Sequence, residues 1–216
     1  MTLHQMRRNY GDQGIDEGDV LPDPAAQFAQ WFQDAQEDSP GDWFEVNAMT
    51  LATADATGYV TARIVLLKGF EEGCPIFFTN YSSQKGRQLE ANPRAALCFY
   101  WPHCERSVRI EGTVERSTRQ ASEAYFACRP RGSQLGAIIS EQTAVIPSRE
   151  WLQQRLEVAE RTYADQPIPC PPHWGGYRLV PRHYEFWQGR PNRLHDRIEY
   201  TREEPARPWS IRRLSP

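Results

Sequence analysis

The chain is 216 residues long, which predicts one domain with at most an appendage. Its 25 Lys and Arg stand against 28 Asp and Glu, a net charge of -3, so no global cationic field exists to hold nucleic acid or an anionic membrane. Only 39% of residues are hydrophobic, yet 7 Trp, 9 Tyr and 9 Phe argue against disorder, and no apolar run approaches the roughly 18 residues of a membrane helix.

Residues 1–20 are polar, with neither helical nor strand period, and read as a mobile arm ahead of a single domain over 21–216. They lack the apolar core of a secretory signal, so a cytoplasmic address is expected. Asp23 and Pro24 then form a cap and a first helical position, and Phe28, Trp31, Phe32 and Ala35 recur at helical spacing, which predicts a helix over 24–37. From Met49 the texture changes to short runs of Thr, Val, Ile and aromatics, broken by turns at Asp55 to Gly58, Glu71 to Gly73 and Asn92-Pro93. Strands are expected near 48–54, 59–68, 75–80, 95–101 and 106–115. Helices are expected near 83–91, 117–128 and from Ser148 to about Ala164, the last capped by its serine. Beyond Pro172, strands are expected near 176–188, 193–201 and 207–213. Antiparallel strands with interposed helices indicate an α+β domain built on a barrel.

Catalytic signatures are missing from this pattern. There is no G-x-G-x-x-G after a strand, no phosphate loop, no H-E-x-x-H and no G-x-S-x-G, and five scattered His give no metal-ligand spacing. Five cysteines without a C-x-x-C pair read as reduced packing residues.

What remains is a set of local cationic clusters. Arg63 and Lys68 bracket an aliphatic strand, with Thr79, Tyr81, Ser82, Ser83, Lys85 and Arg87 following closely; such a group suits a phosphate dianion, or merely solubilises the strand's ends. In YFACRPRGSQLGA, Pro130 should end one helix at Arg129 and Ser133 should cap the next, so that Tyr125, Arg129 and Ser133 surround a helix N-terminus. That is a second anion site, or an ordinary corner with surface arginines. Third, alternation on a strand would put Arg193, His195 and Arg197 on one face, with Trp187 on the neighbouring strand as a wall for an aromatic ligand; a solvated edge strand is the competing reading. Two phosphate-type clusters without a metal or nucleophile motif suggest two phosphorylated ring compounds face to face, one of them a cofactor.

Several strings then resemble one family closely: RIVLLKGF at 63–70, FFTNYSSQKG at 77–86, YFACRPRGSQLGA at 125–137, WGGYRLVP at 174–181, EFWQGRPNRLHDRIEY at 185–200 and the closing IRRLSP. They resemble pyridoxamine-phosphate oxidases, FMN-dependent enzymes of vitamin B6 metabolism, in family order over nearly the whole chain. The resemblance implies a mostly antiparallel split barrel with flanking helices, a homodimer, and one FMN in each of two sites at the dimer interface. It implies that Arg63, Ile64, Val65, Leu66, Leu67, Lys68, Phe78, Thr79, Gln84, Lys85, Ser107, Gln142, Thr143, Trp187 and Arg197 lie at FMN. It also implies that Arg7, Arg8, Tyr10, Lys68, Tyr125, Arg129, Ser133, Arg193, Leu194 and His195 meet the substrate. Tyr125, Arg129 and Ser133 would take its phosphate, Arg193 and His195 would act on its reacting end, and the amino-terminal arm would close over it.

Two positions depart from the family pattern. Gln84 stands where arginine is usual, which costs a charge at the FMN phosphate, and Ser107 stands where glutamine is usual, which shortens the reach toward the flavin edge. The implied reaction is oxidation of pyridoxamine phosphate or pyridoxine phosphate by O2 to pyridoxal phosphate, with H2O2 released and, from the amine, ammonia. The alternatives are a related split-barrel oxidase of the phenazine-pathway type and a non-catalytic carrier of FMN or pyridoxal phosphate.

Overall fold

Asp23 and Pro24 start the first helix as their chemistry predicts. The Asp23 carboxylate accepts from the Ala25 N–H (3.2 Å), and Pro24 fills a position whose N–H has no helical partner. In this computed structural model, which describes residues 2–6, 8–204 and 206–216, that helix is α1, Pro24–Glu37. Arg7 lies outside the described residues. The strands that follow are β1 (Ala48–Ala54), β2 (Val60–Leu66), β3 (Gly69–Glu71), β4 (Cys74–Asn80), β5 (Arg94–Trp101), β6 (Arg106–Arg116), β7 (Trp174–Gln188), β8 (Asp196–Thr201) and β9 (Ser210–Arg213). Between them lie α2 (Gln84–Ala91), α3 (Arg119–Cys128), α4 (Arg131–Ile139) and α5 (Arg149–Thr162).

Every strand pairing is antiparallel, in the order β2-β1-β5-β6-β7-β4-β3, with β8 also on β7 and β9 on β8. The fifteen-residue β7 explains the split of the barrel. One edge runs along β6, while the other pairs first with β4, through Trp174 to Arg178, and then with β8, through His183 to Gln188. Phe28 and Trp31 on α1 close the main core, packing edge-on against Phe99 and Phe186 at 4.9 and 5.2 Å between ring centroids. A smaller core of Phe126, Leu135, Ile139, Ala159, Ile168 and Trp174 holds α3, α4 and α5 against the start of β7.

Two local expectations fail for physical reasons. Ser133 does not cap α4: the helix begins two residues earlier, Pro130 stands at the cap without a side-chain bond, and the Ser133 N–H already donates to the Pro130 carbonyl (2.8 Å). Neither Arg193 nor His195 is on a strand: Arg193 ends a 3-10 turn, Pro191–Arg193, in which Asn192 and Arg193 have φ of 57° and 63°, and His195 precedes β8, so strand alternation does not govern the direction of either. The turn expected at Glu71 to Gly73 is present, with Glu72 and Gly73 at positive φ, and it joins β4 to a short strand, β3, that the sequence pattern does not mark.

Candidate functional site

The residues from Arg63 to Lys68, on β2 and just past it, face Phe78 and Thr79 on β4 across an open cleft of about 1090 Å³. The N-terminus of α2 supplies Gln84 and Lys85, the α3–α4 corner supplies Tyr125, Arg129, Pro130 and Ser133, and the loop after α4 supplies Gln142 and Thr143. Arg63, Lys68, Thr79 and Lys85 of the first cluster read from the sequence and Tyr125, Arg129 and Ser133 of the second thus line one cleft, whereas Tyr81, Ser82, Ser83 and Arg87 do not. Leu67 departs from its neighbours; it is buried in the core and does not line the cleft.

Four cations line this cleft, Arg63, Lys68, Lys85 and Arg129, with no carboxylate among the described lining residues. Lys68 and Lys85 are the only lysines in the sequence. The buried Lys85 ammonium reaches only neutral oxygens: Gln142 Oε1 (2.8 Å), Thr79 Oγ1 (3.1 Å) and Ser83 Oγ (3.5 Å). Burial, and secondarily the charge of Arg63, pull its pKa from 10.5 to about 8. Arg63 likewise bonds only neutral oxygens, on Leu51, Thr53 and Thr61, and burial lowers its pKa. Arg129 Nη1 is buried without a hydrogen-bond partner, and its guanidinium lies over Trp174 at 4.8 Å. A buried ammonium and two half-buried guanidinium groups with no counter-charge among the described residues are what a phosphate-bearing ligand would satisfy.

Backbone geometry sharpens one end of the cleft. Ser83 caps α2 by accepting from the Gly86 N–H, and Gly86 is required there because a side chain would collide with the Tyr81 carbonyl. Thr143 holds a φ of 73°, unfavourable for a β-branched residue, and its hydroxyl accepts from the Gln84 N–H (2.9 Å). The opposite wall is aromatic: Phe78 stacks on Tyr125 (4.0 Å) and on Trp174 (5.3 Å). Trp174 had no local signal as a site residue, because only the β4–β7 pairing brings it to the α3–α4 corner.

The other expected residues are not in this cleft. Cross-strand register puts Tyr100, Ser107, Trp187 and Arg197 in one row across β5, β6, β7 and β8. His195 sits against Trp187 (4.7 Å between ring centroids), and Tyr10 of the arm meets both rings edge-on at 5.7 and 5.1 Å. The arm expected to be mobile is seated here: Arg8 donates to the Pro102 carbonyl and pairs with Glu105 (2.9 Å), Glu105 accepts from the Gly11 N–H (2.7 Å), and Asp196 accepts from the Ile15 N–H (3.2 Å). Gly189 makes room for Tyr10, since a side chain there would run into the tyrosine ring.

The Arg190 N–H donates to His195 Nδ1 (3.1 Å), which leaves the neutral ring's proton on Nε2, and burial together with the charge of Arg193 lowers the His195 pKa. Leu194 is 67% exposed. The Ser107 hydroxyl donates back to the Phe99 carbonyl (2.9 Å) rather than outward. Arg197 is not an unpaired cation, because Glu185 holds it.

Comparison with known proteins decides the family. A profile described as Pyridoxamine 5'-phosphate oxidase matches residues 26–163, and one described as Pyridoxine 5'-phosphate oxidase C-terminal dimerisation region matches 174–216. Pyridoxine/pyridoxamine 5'-phosphate oxidases of Rhodopirellula baltica and Burkholderia orbicola are 52% and 54% identical to the chain; each comparison covers 100% of this chain, and 97% and 99% of the respective relatives. The chain belongs to the pyridoxamine 5'-phosphate oxidase family. In structure it is similar to PhzG from Burkholderia lata 383, solved with tetrahydrophenazine-1-carboxylic acid (TM-score 0.87, 25% identity, 95% of this chain and 99% of that one). An FMN-binding protein from Nostoc punctiforme related to pyridoxamine 5'-phosphate oxidase shares the fold (TM-score 0.72, 19% identity, 91% of this chain and 100% of that one). Members of this oxidase family are split-barrel oxidoreductases, and the divided β7 is the structural basis of the split in this chain.

Proposed function

We propose that this chain is a homodimeric, FMN-dependent oxidase that converts pyridoxamine phosphate or pyridoxine phosphate to pyridoxal phosphate. The observation that carries the proposal is a cleft with two cationic anchor points and no carboxylate among its described lining residues. Arg63, Lys85 and the capped N-terminus of α2 would hold the FMN phosphate; Tyr125, Arg129 and Ser133 would hold that of the substrate. Lys68 lines the same cleft and would meet both molecules.

Bound FMN supplies the two-electron acceptor that the side chains lack, with O2 as the final oxidant and H2O2 as its product. The chain's own contribution is placement. Two phosphate anchors fix both ligands, which converts an encounter into a pre-oriented contact. The aromatic wall of Phe78, Tyr125 and Trp174 would shield one side of the substrate anchor from water. His195, with its proton on Nε2, would present a donor to the substrate's reacting end, and the charge of Arg193 beside it would help orient that end.

The row Tyr100, Ser107, Trp187 and Arg197 is not part of the same protomer's cleft, and exposed apolar side chains lie near both half-sites: Val60 and Ile64 on β2 (64% and 65% exposed) and Tyr100 on β5 (54%). Pairing two copies through these faces would bury them and set Trp187, Arg193, His195 and Arg197 of one subunit over the cleft of the other. The bacterial relatives, together with the finding that no described helix is long and apolar enough to cross a membrane, support a cytoplasmic address.

The likeness to PhzG supports a second reading, oxidation of a phenazine precursor. The oxidases at 52–54% identity over the full chain, against 25% for PhzG, weigh for the phosphate ester. The test is direct. Purified protein should be yellow and should release H2O2 with pyridoxamine phosphate or pyridoxine phosphate, but not with the unphosphorylated vitamers at comparable concentration. Yellow protein inert toward the esters would refute the proposal.

A further inference from the structure

Register alone places Arg109, Glu185 and Glu199 in a row beside the row Ser107, Trp187 and Arg197, on the same face of the sheet. Glu185 is the centre of that second row. Its side chain is only 7% exposed, and it accepts from Arg197 twice, Nε to Oε1 at 2.8 Å and Nη2 to Oε2 at 3.1 Å. Arg109 donates to the same Oε2 at 2.7 Å. The third nitrogen of Arg197, Nη1, donates to the Ser215 carbonyl (2.9 Å) beside the chain's end.

We infer that Glu185 is a positioning residue: it fixes the plane of the Arg197 guanidinium so that its remaining N–H groups face the flavin ring of the partner subunit's site. This rests on the proposed contact between Arg197 and the flavin. Both oxygens of Glu185 are engaged, which locks rotation about the terminal bonds of Arg197 as a single hydrogen bond cannot. Arg109 is the reason the carboxylate itself cannot swing. Burial alone would raise the carboxyl pKa, but the hydrogen bond from Arg197 and the charges of Arg109 and Arg197 hold it below the ordinary range, so the clamp stays ionised across the neutral region. A bidentate arginine held by a shared, buried carboxylate loses little side-chain entropy when the ligand arrives.

The experiment is a double-mutant cycle on the dimer, read by FMN dissociation constant and by thermal unfolding of the flavin-free protein. Glu185→Gln should raise the FMN Kd about tenfold, as loss of a supporting partner does at ligand sites, and Glu185→Asp should recover part of that loss. In an Arg197→Ala background, Glu185→Gln should add less than about twofold, because its effect runs through Arg197. An equal, additive loss in that background overturns the inference. So does a lowered melting temperature with unchanged Kd, which would make Glu185 structural alone. Should Arg197→Ala by itself leave Kd unchanged, the proposed flavin contact fails, a result distinct from additivity. If Glu185→Gln does not fold, Glu185→Asp carries the same cycle, since it keeps the charge and moves only the clamp.

Discussion

Lys85 should hold the folded chain back and the cofactor in place at the same time. Its ammonium is buried among neutral oxygens beside Arg63, and the drop in its pKa from 10.5 to about 8 corresponds to roughly 3 kcal/mol of penalty on the charged form in the flavin-free protein. Lys85→Met removes that penalty. It also removes hydrogen bonds to Thr79 and Gln142, each worth about 1 kcal/mol net, although Thr79 and Gln142 still bond each other at 3.0 Å. The flavin-free variant should therefore be more stable at pH 7 by about 1 to 2 kcal/mol, a rise of a few degrees in Tm. At the proposed FMN site the same substitution would take a charge-assisted bond from the cofactor phosphate, worth about 1.5 to 3 kcal/mol, so Kd should rise about 10- to 100-fold.

The two effects also separate along pH. With the folded pKa below the unfolded one, the unfolded chain binds more protons between about pH 8 and 10.5, and the stability of the flavin-free wild type should rise through that window. FMN affinity should fall over the same range as the ammonium is lost. Thermal unfolding of stripped protein and fluorescence titration with FMN, each from pH 7 to 10, measure both trends, and Lys85→Met should flatten both. A variant no more stable than the wild type at pH 7, or binding FMN equally well, would refute the reasoning.

Arg129→Ala should raise KM for the phosphorylated substrate about 10- to 100-fold with kcat little changed, since it would remove the proposed anchor, which is remote from the reacting carbon; steady-state kinetics with an unchanged KM would remove Arg129 from the phosphate site. Gly189→Ala should unseat Tyr10 from Trp187 and His195, which limited proteolysis of the arm would report as faster cleavage, with thermal stability nearly unchanged. Gln84→Arg should tighten FMN binding about tenfold by adding a cation at the N-terminus of α2, measured by the same titration; equal or weaker binding would contradict the placement of Gln84 at the phosphate.

Much of this architecture is legible in the sequence because its signals are local. Asp23-Pro24 and the spacing of Phe28, Trp31, Phe32 and Ala35 mark α1 to the residue, and the alternating runs from Met49 mark β1, β4, β5 and β6 within a residue or two. Signals depending on backbone sign are not local. Asn192 and Arg193 turn with positive φ, which residue type alone does not announce, so strand alternation is carried too far back and wrongly includes Arg193 and His195. Ser133 fails for another reason: Pro130 can itself begin a helix, and a serine three residues on then becomes an ordinary first-turn residue. Long-range pairing is the third limit. The stack of Trp174 on Phe78, and the Glu185 clamp on Arg197, exist only through strand registers that no window of sequence contains.

The central claim is that each site is built from two subunits, the cleft of one and the Trp187–Arg197 face of the other. Mixing Lys85→Met and Arg197→Ala subunits, assayed at an FMN concentration too low for either parent to be active, after unfolding and refolding them together, tests it most directly. Random reassociation makes about half of the dimers mixed, and each mixed dimer carries one site with both halves intact, so activity should return to about a quarter of the wild-type level. If cleft and face serve the same subunit, every site keeps a lesion and the mixture stays as inactive as its parents.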